Sequence, residues 1–322
     1  MWALPLPLVA LLLVLLAVQT RETESHGLMV LPRQRGALRK LRYIPYDIDR
    51  RAPRDYDKHY PAGDKADVPG AGKRSQEKAA GGGGWTPYNP YDANFRWRSG
   101  VCGDKVRGRQ EHLKGGKFYH NGMIVAWYLQ GDTIGIEHSI VSNHNGFVEV
   151  HVCDVSKCPG GDISKECFLN GACTALRRAH NPTCDSGRSM HCGPIDRYNP
   201  TRWYLPCSQK NGMGYDIFEA KYATFRLPSH LYCQHCVLQW YWVTANSCSP
   251  PGLNNYFTGP DRPHWGKCKG QAGMRGGFGR RKRTCGGRDE FPEEYVQCAD
   301  ISILPRGSTT SRMVNVAYGG VV

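Results

Sequence analysis

A histidine that begins a chain offers a metal more than its ring. Its α-amine and its Nδ1 can close a chelate on one ion, so one residue supplies two nitrogens. His26 is a candidate for that position. Residues Leu4 to Val18 are almost entirely Leu, Ala, Val and Pro, which suits the core of a secretory signal peptide and is too short to span a bilayer comfortably. Thr23 and Ser25 stand three and one places before His26, where signal peptidase accepts small residues, so 1–25 would be removed and His26 left first. Cuts nearer Ala17 or Thr20 stay open on local sequence alone. A free α-amine titrates near pH ~8, so a metal displaces its proton at small cost near neutrality. Such a nitrogen-rich, tetragonal plane is what copper(II) favours.

A third nitrogen would complete a T-shaped site. His144 stands in Ser142-Asn143-His144-Asn145-Gly146, at the mouth of a strand-like run, where a ring can be exposed on a rigid base. The chain has 12 histidines, so spacing alone does not single this one out from surface or packing histidines.

These residues need a frame. From Trp85 onward aromatic and aliphatic residues come in short runs, at Gly122 to Tyr128, Asp132 to Ile136 and Gly146 to Val152. The third run alternates, with Phe147, Glu149 and His151 on one face and Val148, Val150 and Val152 on the other. Further strands are expected at Tyr222 to Leu227, Cys236 to Val243 and Tyr295 to Ile303. The pattern predicts an all-β protein, an immunoglobulin-like or fibronectin-like antiparallel β-sandwich with long disulfide-stapled loops. Cys153 to Met213 is rich in Gly, Asn, Pro and Cys, and the runs on either side of it need each other to close two sheets. A single domain over 26–304 follows, with 47–84 and 249–284 as inserted flexible loops and 305–322 as a short tail.

The 14 cysteines, an even number behind an export signal, imply a disulfide framework in an oxidising, extracellular compartment. Spacing does not reveal the pairing. Cys233-Gln-His-Cys236 has the spacing of a redox pair or half a zinc site, but in an exported chain two disulfides to different partners are expected. With 42 Lys+Arg against 28 Asp+Glu the formal charge is +14, which suits anionic surfaces and matrix polyanions. Nucleic acid is not an expected partner outside the cell. Beyond the opening run no segment is apolar enough to enter a membrane. Arg280, Arg281, Lys282 and Arg283 form a basic run that reads as a solvated charge cluster, a polyanion contact or a processing site.

Several short blocks recur in an informative order: His26 to Pro32, Thr86 to Asn94, Val101-Cys-Gly-Asp104, Gly115 to Tyr119 and Asn143 to Phe147. The strongest are Leu227-Pro-Ser-His-Leu-Tyr-Cys-Gln-His-Cys-Val-Leu-Gln-Trp240, followed by Asn246-Ser247, and Glu293 to Ile301. Over most of 26–46 and 85–303 the chain resembles the animal-type lytic polysaccharide monooxygenases, copper enzymes whose mature chains start with histidine. That resemblance selects cleavage before His26. It implies that His26 and His144 hold copper through three nitrogens, with Tyr295 at the axial position. Glu293, two residues earlier in the same strand, would share the face of Tyr295 and turn a carboxylate toward the copper's oxygen ligand, while Glu294 points away. Gln239 and Trp240 read as core packing.

The reaction implied is oxidative cleavage of glycosidic bonds with an external electron donor and O2 or H2O2 as co-substrate. The partner would be an insoluble polysaccharide surface, chitin ahead of cellulose, met by a secreted monomer through an open, flat site. Tyr88, Tyr91 and Trp97 are candidates for stacking on sugar rings, with Tyr43 and Tyr46 equally eligible and internal loop packing the competing role. The two insertions depart from the family pattern, and so does Ser142, where a small apolar residue is usual. Two other readings follow: a non-catalytic chitin-binding or copper-carrying extracellular protein on the same scaffold, or a matrix protein whose basic loops bind polyanions.

Overall fold

The computed structural model describes residues 27–36, 89–93, 100–104, 108–140, 143, 145–189, 191–206, 219–245, 248–260, 262–264, 284–285 and 294–307. Two facing sheets are built from them. The first has the order β1 (Gly27–Leu31), β3 (Thr133–Ile140), β8 (Glu219–Arg226) and β6 (Arg177–Arg178), paired antiparallel throughout. The second runs β2 (Ala126–Leu129), β10 (Glu294–Leu304), β9 (Cys233–Val243), β4 (Phe147–Asp154) and β5 (Cys173–Ala175), and β7 (Trp203–Tyr204) also pairs with β4. The chain is thus an all-β, immunoglobulin-like sandwich, as its alternating runs predict. Within it β2 pairs with β10 in parallel. The reason is local: the turn at Gly131, with φ 71°, hands the chain from β2 in one sheet to β3 in the other, so β2 cannot pair with its neighbour in sequence. Among the described residues no helix is long and apolar enough to cross a membrane.

Val148, Val150 and Val152 of β4 face the first sheet and join Ile134, Ile136, Phe225, Trp240 and Ile301 in the core. The opposite face of β4 is buried too. Phe147 packs with Tyr204 and Val243, and Glu149 and His151 are covered. Much of their cover is the stretch after β4, where Phe168 packs on His151 and the disulfides Cys153–Cys173 and Cys158–Cys167 hold the chain down. A β strand with both faces covered loses the polar-out pattern of a solvated sheet.

The expectation for Cys233 and Cys236 is corrected: they are bonded to each other. Three residues of extended strand would span about 10 Å, yet their Cα atoms are 5.6 Å apart. A bulge brings them together, since Cys236 pairs with Ile301 and Cys233 with Ile303, leaving three steps on β9 against two on β10. Cys102–Cys298 and Cys248–Cys285 complete the six disulfides of the described residues.

Just beyond β1, Arg35 is completely buried and anchors the N-terminal segment. Its Nε and Nη2 donate to the two oxygens of Asp300 at 2.8 and 2.7 Å, and its Nη1 and Nη2 donate to those of Asp162 at 3.0 and 2.8 Å. His235 Nε2 lies 2.7 Å from the same Asp300. Burial opposes the charge of Arg35, but the hydrogen bonds and charges of the two aspartates outweigh it and raise the guanidinium pKa. Asp300 is held below the usual carboxylate range, burial again opposing and Arg35 and His235 prevailing.

Candidate functional site

β1 opens the first sheet at Gly27, which pairs with Ile140. A side chain there would collide with the second sheet, because a Cβ on Gly27 would lie 2.7 Å from the Trp242 ring and 3.1 Å from that of Trp240. The backbone of β1 is also fastened to β10. Gln297, almost fully buried, donates from Nε2 to the Gly27 carbonyl at 3.1 Å and accepts the Met29 amide on Oε1 at 2.6 Å. Both sheets therefore fix the residue that follows His26.

The turn into β4 is equally constrained. Asn143 donates to the Pro206 carbonyl at 2.6 Å and accepts the Asn145 amide at 2.7 Å, a side-chain turn closed two residues on. Asn145 has φ 55° and Gly146 φ 89°. A Cβ at Gly146 would sit 1.8 Å from the Val243 carbonyl oxygen, so only glycine fits there. Asn143 and Asn145 are both buried, which gives the residue between them a rigid base on each side.

Trp242 joins these two regions to the third candidate. Its Nε1 donates to the Asn145 carbonyl at 2.9 Å, and its ring stacks on Tyr295 with centroids 4.9 Å apart. Tyr295 is the register partner of Trp242 on β10 and is wholly buried in the core. Glu294 turns to the other face, as expected, where it accepts the hydroxyl of Tyr241 at 2.9 Å. The neighbours of His26 and His144 and the ring of Tyr295 thus meet at one indole.

His138, opposite Met29 on β3, lies beneath the same region. It stacks on Trp203 at 4.1 Å and accepts the Trp240 Nε1 proton on Nδ1 at 3.2 Å. Burial first, and then the charge of Lys221, push its pKa well below the ordinary histidine value, so it is neutral at pH 7.

His26, His144, Glu293, Tyr88, Trp97, Tyr43, Tyr46 and the run Arg280 to Arg283 lie outside the described residues. Among the described residues no three His, Cys, Asp or Glu side chains converge on a metal position. Tyr91 is described, and its ring packs edge-on against His151 and Phe168 with the hydroxyl buried. Gln239 and Trp240 are core residues, as expected.

Trp242 and Gln297 were not apparent as site residues from the sequence. Strand period could have found both, since Gln297 is in phase with Tyr295 and Trp242 with Trp240.

No family model matches the chain, and no curated protein matches it. Several solved structures are similar to it, among them three that span most of the chain. One is a lytic polysaccharide monooxygenase AA15 from Thermobia domestica in the Cu(I) state, at 20% identity and TM-score 0.42, covering 87% of this chain and 99% of that one. Another is the cellulose-active lytic polysaccharide monooxygenase CelS2 in complex with copper, at 13% identity and TM-score 0.35, covering 86% and 98%. The third is a chitin binding domain from Burkholderia pseudomallei, at 10% identity and TM-score 0.34, covering 87% and 99%.

Proposed function

We propose that the chain is a secreted copper-dependent lytic polysaccharide monooxygenase that oxidatively cleaves crystalline polysaccharide, chitin ahead of cellulose. The observation that carries this reading is the convergence on Trp242 of Gly27, Asn145 and Tyr295, which are respectively next to His26, next to His144 and the third candidate itself. The donor set suits the metal. An α-amine and two imidazoles are the neutral nitrogen ligands that copper(II) prefers, and the missing side chain at Gly27 lets the first strand close on the indole.

In this reading His26 supplies its amine and Nδ1, and His144 supplies one ring nitrogen. Bound copper would contribute one-electron redox chemistry toward O2 or H2O2, fed by an external electron donor. Trp242 and Gln297 hold the backbones that orient both histidines. Tyr295, stacked and buried, walls the site on the core side and keeps water from that flank. Glu293 would accept hydrogen bonds beside the metal and hold a proton there. Tyr88 and Trp97 remain the candidates for stacking on sugar rings, and the basic run Arg280 to Arg283 would contact polyanions at the surface.

The test is mass spectrometry of soluble products from chitin and from cellulose, using copper-loaded protein that begins at His26, with a reductant. Oxidised oligosaccharides that vanish in His144→Ala are expected. Tight copper binding with no oxidised product from either polymer would favour a non-catalytic copper-carrying protein on the same scaffold.

A further inference from the structure

On the face of β4 turned away from the core, a cleft of about 390 Å³ opens over Glu149 and His151. Its polar groups are chemically incomplete. Gln239 donates its amide to the Val101 carbonyl at 2.6 Å, so its oxygen must be the atom that faces His151 Nδ1 at 2.9 Å. That places the imidazole proton on Nδ1 and leaves a bare lone pair on Nε2. The Nε2 atom has no partner, although the ring is fully buried at the cleft floor. Burial outweighs Glu149 and Gln239 and lowers the pKa of His151, so the ring is neutral at pH 7.

Glu149 directs one oxygen to Thr201 Oγ1 and Arg202 Nε, at 3.1 and 3.3 Å. Its other oxygen lies 4.0 Å from His151 Nε2, an acceptor facing an acceptor. The Tyr91 hydroxyl, also at the cleft wall, is a buried donor with no partner. Arg202 balances the charge of Glu149, so the cleft as a whole is neutral. A cation would answer the two acceptors but leave the Tyr91 proton unmet, and an anion would be repelled by Glu149. Two neighbouring hydroxyls, one proton for each acceptor and a lone pair for Tyr91, satisfy all three. Pro90, Pro251 and Ala175 supply apolar wall. Asn199 also lines the cleft, and the residue before it in sequence, Tyr198, is 76% exposed, an aromatic surface on which the C–H face of a sugar can rest.

We infer that this cleft is a binding subsite for a neutral pyranose unit, with Glu149 as the principal acceptor, His151 and Tyr91 at its floor and Tyr198 next in sequence to its lining residue Asn199. It shares the saccharide class with the proposed function but needs neither copper nor His26 and His144, so the two readings fail separately.

Copper-free protein should be titrated with chitobiose and with cellobiose while backbone amide NMR shifts are followed. Saturable shifts at Tyr91, Glu149, His151 and Thr201 are expected with at least one sugar. Tyr91→Phe, which keeps the packed ring, should weaken binding about five-fold, and Tyr198→Ala should weaken it to a similar extent. Affinity should be the same in His144→Ala. No shift at these amides up to about 50 mM of either sugar, a range that covers very weak sites, would overturn the subsite. Wild-type binding by both variants would do the same, as would shifts of these amides with Zn(II) and not with sugar.

Discussion

The indole nitrogen of Trp242 donates to the carbonyl of Asn145 at 2.9 Å while the face of the same ring carries Tyr295. One side chain of β9 therefore sets the distance between the loop before β4 and the inner face of β10. Trp242→Phe keeps an aromatic face and removes the donor, leaving a buried carbonyl unpaired. The expected loss is about 1–3 kcal/mol of stability, and we predict a larger proportional loss of copper affinity, measured by denaturant unfolding and copper titration of the same samples.

Gly27 is the second lever. Because a Cβ there would sit 2.7 Å from the Trp242 ring, Gly27→Ala must push β1 away from β9. Gln297 resists that movement through its two bonds to the β1 backbone. Overpacking of this kind typically destabilises by about 1–3 kcal/mol. Oxidation of polysaccharide should fall at least ten-fold with the folded state retained, and unaltered activity would show that the position of β1 does not govern the site.

Much of this frame is legible in the sequence. The alternation of Phe147 to Val152 gives β4 and its two faces, and the runs ending at Val243 and Ile303 give β9 and β10. What the sequence hides is contact between distant segments. Nothing in the spacing of Cys233 and Cys236 says that a bulge folds them onto each other. Period puts Glu149 and His151 on the face opposite the valines but cannot show that a stapled loop covers them. For Tyr91 it leaves sugar stacking and loop packing both open, since Phe168, against which it packs, lies beyond β4 in that loop.

The Arg35 network makes a pH prediction. The folded-state pKa of Asp300 is depressed, so its contribution to stability is present above the ordinary carboxylate value of about 4 and is lost as pH falls through the folded value. Arg35→Met leaves Asp300 and Asp162 buried without their cation. It should cost about 3–5 kcal/mol at pH 7 and progressively less in acid, where the carboxylates protonate. Urea unfolding from pH 7 to pH 3 measures the difference. A pH-independent penalty would mean that the arginine contributes packing alone.

His138 and His151 act at higher pH. Both are buried and neutral, with folded pKa values below the ordinary histidine value. Their contribution is complete above about pH 6.5 and declines below it, because the unfolded chain then binds protons that the folded chain does not. The slope from His138, whose pKa is pushed well down, should approach about 1.4 kcal/mol per pH unit at most, and that from His151 has the same sign. Stability measured between pH 7 and pH 5 should fall accordingly, and a flat profile over that window would show that both rings take up protons in the folded state as readily as in the unfolded chain.

The most direct measurement for the central claim is copper titration of two proteins, one beginning at His26 and one carrying a single alanine before it. One tight copper per chain is expected in the first. The added residue converts the amine into an amide, and affinity should fall at least a hundred-fold, with a similar fall in His144→Ala. Equal copper affinity in the two proteins would contradict the assignment of His26 as the anchoring ligand.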